Sequence, residues 1–200
     1  MRTLLNMCAL STVLACSGDK DGAKINIYTI EDDIELGQQL EAEIAADPET
    51  YPLLSQTLYP EAYAKLYEIR DSILASGEVR HAEDFEWKLY IIDDDETLNA
   101  FCAPGGYIYV YTGLIKFLEY EDELAGVMGH EIAHADLRHS TQQLTQTFGL
   151  GVLLAILSGG DPSLLQEIAA SLVTLSFSRS DESEADEASV DYLCNTDYGA

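Results

Sequence analysis

Basic residues are scarce in this chain. Ten Lys and Arg stand against 36 Asp and Glu in 200 residues, a formal net charge of −26. A surface that acidic repels phosphate backbones, which excludes nucleic acid as a partner. Long apolar runs are missing as well: residues 4–15 and 148–157 are mostly apolar, but both fall short of the roughly 20 residues that cross a bilayer. Internal repeats and low-complexity tracts are absent. With 47% hydrophobic and 23% charged residues, the composition is that of a folded protein, and the length suits one domain. Histidine is confined to His81, His130, His134 and His139, and cysteine to Cys8, Cys16, Cys102 and Cys194, so metal or thiol chemistry has few places to sit.

What is present at the start is an address. Met1-Arg2 gives a short positive beginning, the apolar stretch 4–15 has the length of a signal h-region, and Val13-Leu14-Ala15-Cys16 looks like a bacterial lipoprotein box. The expectation is a signal peptide at 1–15, a lipidated Cys16 with a polar tether through residue 30, and a domain at 31–200. Such a chain is anchored by lipid in the periplasm; Ser17 after the cysteine resembles lipoproteins sorted to the outer membrane. Export to an oxidising compartment leaves Cys102 and Cys194 to pair as a disulfide.

Apolar periodicity predicts helices at 31–46 and 60–76, strands at 87–92 and 107–112, and helices at 121–139, 148–157, 163–177 and from 179 past Tyr192. The helix at 121–139 carries His130-Glu131-Ile132-Ala133-His134, an H-E-x-x-H motif. Residues four apart on a helix differ by only about 40° in direction, so both imidazoles face one ion while Glu131 stands beside it as a base. A catalytic zinc needs a third protein ligand and one open position. The third histidine of the pattern H-E-x-x-H-x-x-G-x-x-H is missing, because Leu137 and Ser140 occupy its glycine and histidine positions. His139 is no substitute: on a continuous helix it lies about 140° round from His134 and faces away, at the surface or behind the ligands. The third ligand is then a distant carboxylate. Glu182 and Asp186 share a face of the last helix, and spacing alone leaves either as ligand, with the other accepting a hydrogen bond from a ligand histidine.

Asn99-Ala100-Phe101, Pro104-Gly105-Gly106, Thr112-Gly113-Leu114, the H-E-x-x-H, Arg138-His139 and Ser178-Arg179-x-x-Glu182-x-x-x-Asp186 together resemble the M48 family of metallopeptidases over residues 31–200. With the lipobox, the chain is most similar to that family's periplasmic lipoprotein branch. The resemblance implies an α+β, mainly helical zincin-like (gluzincin) fold with a small β-sheet. It also implies one Zn2+ held by His130, His134 and Glu182, with Asp186 behind the ligands. The strand at 107–112 resembles the family's active-site edge strand, so an extended substrate is expected to add to it, touching Asn99, Gly106, Tyr107, Ile108 and Tyr109. Two points depart from the family. Its members often continue further at the C-terminus, so residue 200 is an early end for the domain, and its transition-state donor has only Tyr192 and Tyr198 as candidates here.

The expected function is a zinc metalloendopeptidase in which Glu131 takes the proton of the attacking water. Its polypeptide substrates are unfolded or misfolded envelope proteins. The competing expectation is a zinc-stabilised periplasmic chaperone or assembly factor for outer-membrane proteins that cuts little.

Overall fold

Side chains that close helix ends set much of the architecture. In the computed structural model, which describes residues 27–199, α1 (Ile30–Ala46) begins at a capping box: the Thr29 hydroxyl accepts the Asp32 amide at 3.1 Å, and the Asp32 carboxylate accepts the Thr29 amide at 2.8 Å. Amides that a helix start leaves unpaired are satisfied this way. Leu36, Leu40 and Ile44 recur at helical spacing on one stripe and are fully buried. α2 (Pro60–Leu74) opens on proline, which has no amide to satisfy, and buries Tyr63, Leu66, Ile69 and Ile73. The signal peptide at 1–15 and the lipidation expected at Cys16 lie outside the described residues.

β1 (Lys88–Ile92), β2 (Ala100–Ala103) and β3 (Tyr107–Tyr111) form one sheet in the order β1-β3-β2. β3 runs parallel to β1 and antiparallel to β2, with Ile108 opposite both Leu89 and Cys102. The turn from β2 to β3 passes through Gly105 and Gly106 at φ 76° and 87°, a region that side chains disfavour. Successive residues of β3 point to opposite faces. Ile108 and Val110 join a core with α2, while Tyr107, Tyr109 and Tyr111 join a second core with α1. Both faces are covered, so all five β3 residues are buried and the strand reads as a continuous apolar run.

The remaining elements are α3 (Thr112–Phe117), α4 (Glu121–Asp136), α5 (His139–Phe148), α6 (Leu150–Leu157), α7 (Pro162–Leu172) and α8 (Arg179–Cys194). α4 and α8 lie on the α2 side of the sheet; α5, α6 and α7 lie on the α1 side. Among the described residues no helix is long and apolar enough to cross a membrane. The fold is the expected mainly helical α+β arrangement around a small sheet.

One expectation about the sheet is corrected. Tyr107, Ile108 and Tyr109 do not form a substrate-binding edge, because both backbone edges of β3 are taken by β1 and β2. Gly106 is buried in the turn beside Phe85 and Trp87. Among the described residues the strand with a free edge next to α4 is β2.

The helix expected at 121–139 is in fact two. α4 stops at Asp136, and Arg138 takes the left-handed conformation, φ 61° and ψ 29°. For a residue with a side chain this costs about 1–2 kcal/mol. The offset comes from far along the chain. Arg138 Nε donates to Asp33 Oδ2 at 2.5 Å, and its Nη2 donates to the Tyr28 and Thr29 carbonyls at 2.6 and 2.9 Å. Asp33, 1% exposed, also accepts the Thr141 hydroxyl at 2.8 Å. Burial pushes the Asp33 carboxyl above its ordinary pKa, with Arg138 pulling the other way. Replacing Arg138 by Ala strands a buried carboxylate, and urea unfolding at pH 7 is expected to show a loss of about 3–5 kcal/mol. A loss below about 1 kcal/mol would mean the pair contributes no more than a surface one.

Candidate metal centre

α4 and α8 supply the site between them. α8 starts at a second capping box, with Ser178 Oγ accepting the Asp181 amide at 3.2 Å and the Asp181 carboxylate accepting the Ser178 amide at 3.0 Å. That cap fixes the first turn, so Glu182 and, one turn later, Asp186 face α4. Another tie joins the two helices through Asp136, which accepts the Tyr192 hydroxyl at 2.7 Å and the His81 amide at 2.7 Å.

Three ligand atoms meet in this arrangement. His130 Nε2 lies 3.0 Å from His134 Nε2 and 3.4 Å from Glu182 Oε2, and His134 Nε2 lies 4.0 Å from the same oxygen. Bonds of 2.0–2.1 Å at tetrahedral angles put ligand atoms about 3.3 Å apart. The triangle therefore fits one cation with small adjustments, and two imidazoles with one carboxylate is a donor set used by catalytic zinc sites. Behind the ligands, His130 Nδ1 stands 3.0 Å from Asp186 Oδ1, and His134 Nδ1 stands 3.0 Å from His139 Nδ1. Phe177 stacks on the His134 ring with 4.0 Å between centroids.

The ionisation of the site is shifted toward neutral groups. Burial, then the nearby Glu182 carboxylate, pushes Glu131 up to about 8. Burial, then His130 and His139, pushes His134 down to about 3, so its imidazole is neutral, the form that binds metal. Glu131 lines the same cleft, of about 170 Å³, as the three ligand atoms. Asn99, Ala100, Phe101 and Cys102 form one wall of the cleft, and Leu172, Val173, Leu175 and Phe177 form the other. Asn99 Nδ2 donates to the Val173 carbonyl at 3.2 Å and joins the two walls.

Of the residues anticipated from sequence, His130, Glu131, His134, Glu182, Asp186 and Asn99 come together here. Gly106, Tyr107, Ile108 and Tyr109 do not. Tyr192 is spent on Asp136, and neither it nor Tyr198 lines the cleft. The expected Cys102–Cys194 disulfide is corrected, since both thiols are free. Cys102 is buried in β2, where burial raises its pKa, and Cys194 is exposed at the end of α8. α4 packs between β2 and α8 and keeps the two apart. His139 is not at the surface, being 2% exposed, because the break at Arg138 swings it back under His134. The apolar wall 172–177 was not anticipated as part of the site. Its only mark in the sequence is its place just before Ser178-Arg179.

Comparison with known proteins bears on the whole arrangement. Residues 60–200 match the model of peptidase family M48. The chain is 33% identical over 125 residues to the mitochondrial metalloendopeptidase OMA1 of Arabidopsis thaliana, covering 62% of this chain and 26% of that protein. It is 31% identical over 126 residues to the metalloprotease YcaL of Escherichia coli, covering 60% and 48%. It is 31% identical over 119 residues to a putative beta-barrel assembly-enhancing protease of Vibrio cholerae, covering 53% and 25%. The matched region thus spans about a quarter to a half of these curated relatives.

The raised Glu131 carboxyl has a measurable consequence. At pH 7 a group titrating near 8 keeps its proton, and a dication beside it displaces that proton. Zinc titrations by calorimetry in buffers of different ionisation enthalpy are expected to release about one proton fewer from Glu131→Gln than from the wild type. Equal proton release from the two chains would contradict the neutral carboxyl.

Proposed function

The chain belongs to peptidase family M48, and from that premise we propose that it is a zinc metalloendopeptidase whose cation is held by His130, His134 and Glu182. The observation that carries the reading is the triangle of Nε2, Nε2 and Oε2 atoms 3.0, 3.4 and 4.0 Å apart, with Glu131 in the same cleft. When bound, zinc supplies a Lewis acid that polarises a peptide carbonyl and acidifies water.

The chain's own residues do the rest. Glu131 accepts the proton of the attacking water and passes it to the leaving amine, acting in the ionised form that a neighbouring dication would favour. Asp186 accepts from His130 Nδ1 and keeps the opposite nitrogen turned inward. The free edge of β2 at Ala100 offers backbone groups to an extended polypeptide, with Asn99 at its end, while the Cys102 carbonyl further along already accepts the Ser140 hydroxyl. Backbone pairing of that kind reads shape more than sequence, so unfolded segments are the substrate class.

We place this activity in the bacterial envelope. The lipobox ending at Cys16 supports a lipid-anchored periplasmic enzyme, sorted by Ser17 to the outer membrane. Misfolded envelope proteins are then its substrates, and similarity to a protein named as a beta-barrel assembly-enhancing protease agrees with that setting.

Metal content and casein cleavage are to be measured together on three chains. Glu131→Gln is expected to keep zinc and lose about 10²–10⁴-fold in cleavage rate. Glu182→Ala is expected to lose zinc along with activity. A Glu182→Ala chain that holds zinc like the wild type refutes the ligand assignment. A Glu131→Gln chain that still performs its cellular role assigns the site to a zinc-stabilised assembly factor instead.

A further inference from the structure

Two clusters among the described residues have the side chains to hold a cation: His130, His134 and Glu182, and next to them His139, Asp181 and Glu184. They meet where His134 Nδ1 and His139 Nδ1 stand 3.0 Å apart. Two ring nitrogens at that distance with no cation between them share a single proton, since two protons would collide and two lone pairs would repel. The position of that proton ties the two clusters together.

A cation on His134 Nε2 requires the His134 proton on Nδ1. His139 must then receive it on a bare Nδ1, and the proton of a neutral His139 sits on Nε2. That nitrogen faces Glu184 Oε2 at 3.4 Å and Asp181 Oδ1 at 3.8 Å, and carboxylates favour a proton pointed at them. A second cation on His139 Nε2 would strip that nitrogen too and leave an imidazolate. With the proton reversed, His134 would carry hydrogen on Nε2 and lose its own ligand atom. The neighbouring cluster is therefore not a second metal site while the first is filled. Water is a poor alternative acceptor for His134: its ring is 2% exposed and is covered by Phe177, with His139 equally buried.

Resting on the metal site proposed above, we propose that His139 is a positioning residue for the cation. By accepting the Nδ1 proton of His134, it holds that ring in the one tautomer that presents Nε2 to the metal. Glu184 and, further off, Asp181 face His139 Nε2 in turn. The left-handed Arg138 is what delivers His139 to this place, because an unbroken helix would carry it to the far side.

Two amide substitutions separate this role from packing. His139→Asn puts a carbonyl acceptor near the position of imidazole Nδ1, while His139→Gln puts it near that of Nε2. The full metal-free chain is titrated with zinc against a chromophoric chelator at pH 7, and Co2+ absorption spectra are recorded in parallel. His139→Gln is expected to weaken zinc binding about 10–100-fold and to alter the Co2+ bands, whereas His139→Asn stays within about threefold of the wild type and restores them. One zinc per chain is expected, unchanged in Glu184→Gln. Wild-type affinity in His139→Gln, or equal weakening in both variants, overturns the inference. A second equivalent of zinc that disappears in Glu184→Gln makes His139 a ligand and also overturns it. A wild-type chain that binds no zinc removes the metal site itself, and this inference with it.

Discussion

The close contact of α4 with α8 is the constraint on which the chemistry depends. A single helix can aim two imidazoles at one point, but it cannot return a carboxylate to the same point from the opposite side. Here the second helix does so, and the interface lets it come near. Ala125, Ala133 and Ala185 have no exposed surface, and Gly129 sits against Ser189 and Leu193. The Ser178–Asp181 cap sets the rotation of α8, and the Tyr192–Asp136 hydrogen bond holds it at another point. A slip of one residue in α8 would turn Glu182 by about 100° and empty the third corner of the triangle.

The electrostatics of the centre suit the binding of a dication. Burial, then the nearby Glu182 carboxylate, keeps Glu131 protonated, and burial keeps His134 neutral. Placing like charges and buried polar groups together costs folding free energy unless something compensates. A dication reverses both penalties, because it favours the ionised carboxylate and uses the neutral imidazole as it stands. Stability and reactivity would then draw on the same ion. The chain's large negative charge also works in the same direction by raising the local concentration of cations.

What the sequence disclosed and what it hid divide along a physical line. The candidate ligand residues were legible as pairs because helical period turns spacing into direction: residues 130 and 134, and residues 182 and 186, share faces wherever a helix exists, whereas the choice of Glu182 over Asp186 came from the family resemblance. α1, α2, β1, β3 and α8 were legible from their apolar periodicity and end signals. β2 was not, since Ala100–Ala103 is four residues long and shows no alternation. Strand order was hidden as well. The run of residues 107–111 says that both faces are buried, but nothing in it names the neighbours that occupy its edges. Of the two places expected for His139, the surface and behind the ligands, the structure shows the second, and the direction alone was missed by rotation arithmetic that assumed an unbroken α4. The break has no local mark, since Arg138 is neither glycine nor proline and is held by Asp33, 105 residues away. The disulfide expectation came from compartment and counting, and it failed on the thickness of one intervening helix.

The two imidazoles of the site are backed differently, and burial explains why. His130 is partly exposed and rests on Asp186, a carboxylate largely in water, whose charge costs little to keep there. His134 is buried, and a carboxylate directly behind it would have to be desolvated as well. A neutral ring solves that problem. His139 accepts the proton of His134 without bringing a charge into the interior, and it passes the demand outward to Asp181 and to Glu184, which reaches solvent. The influence of a carboxylate therefore arrives at the buried ligand one ring further off, at lower desolvation cost. It arrives only because a strained residue, Arg138, bends the chain back at the right point.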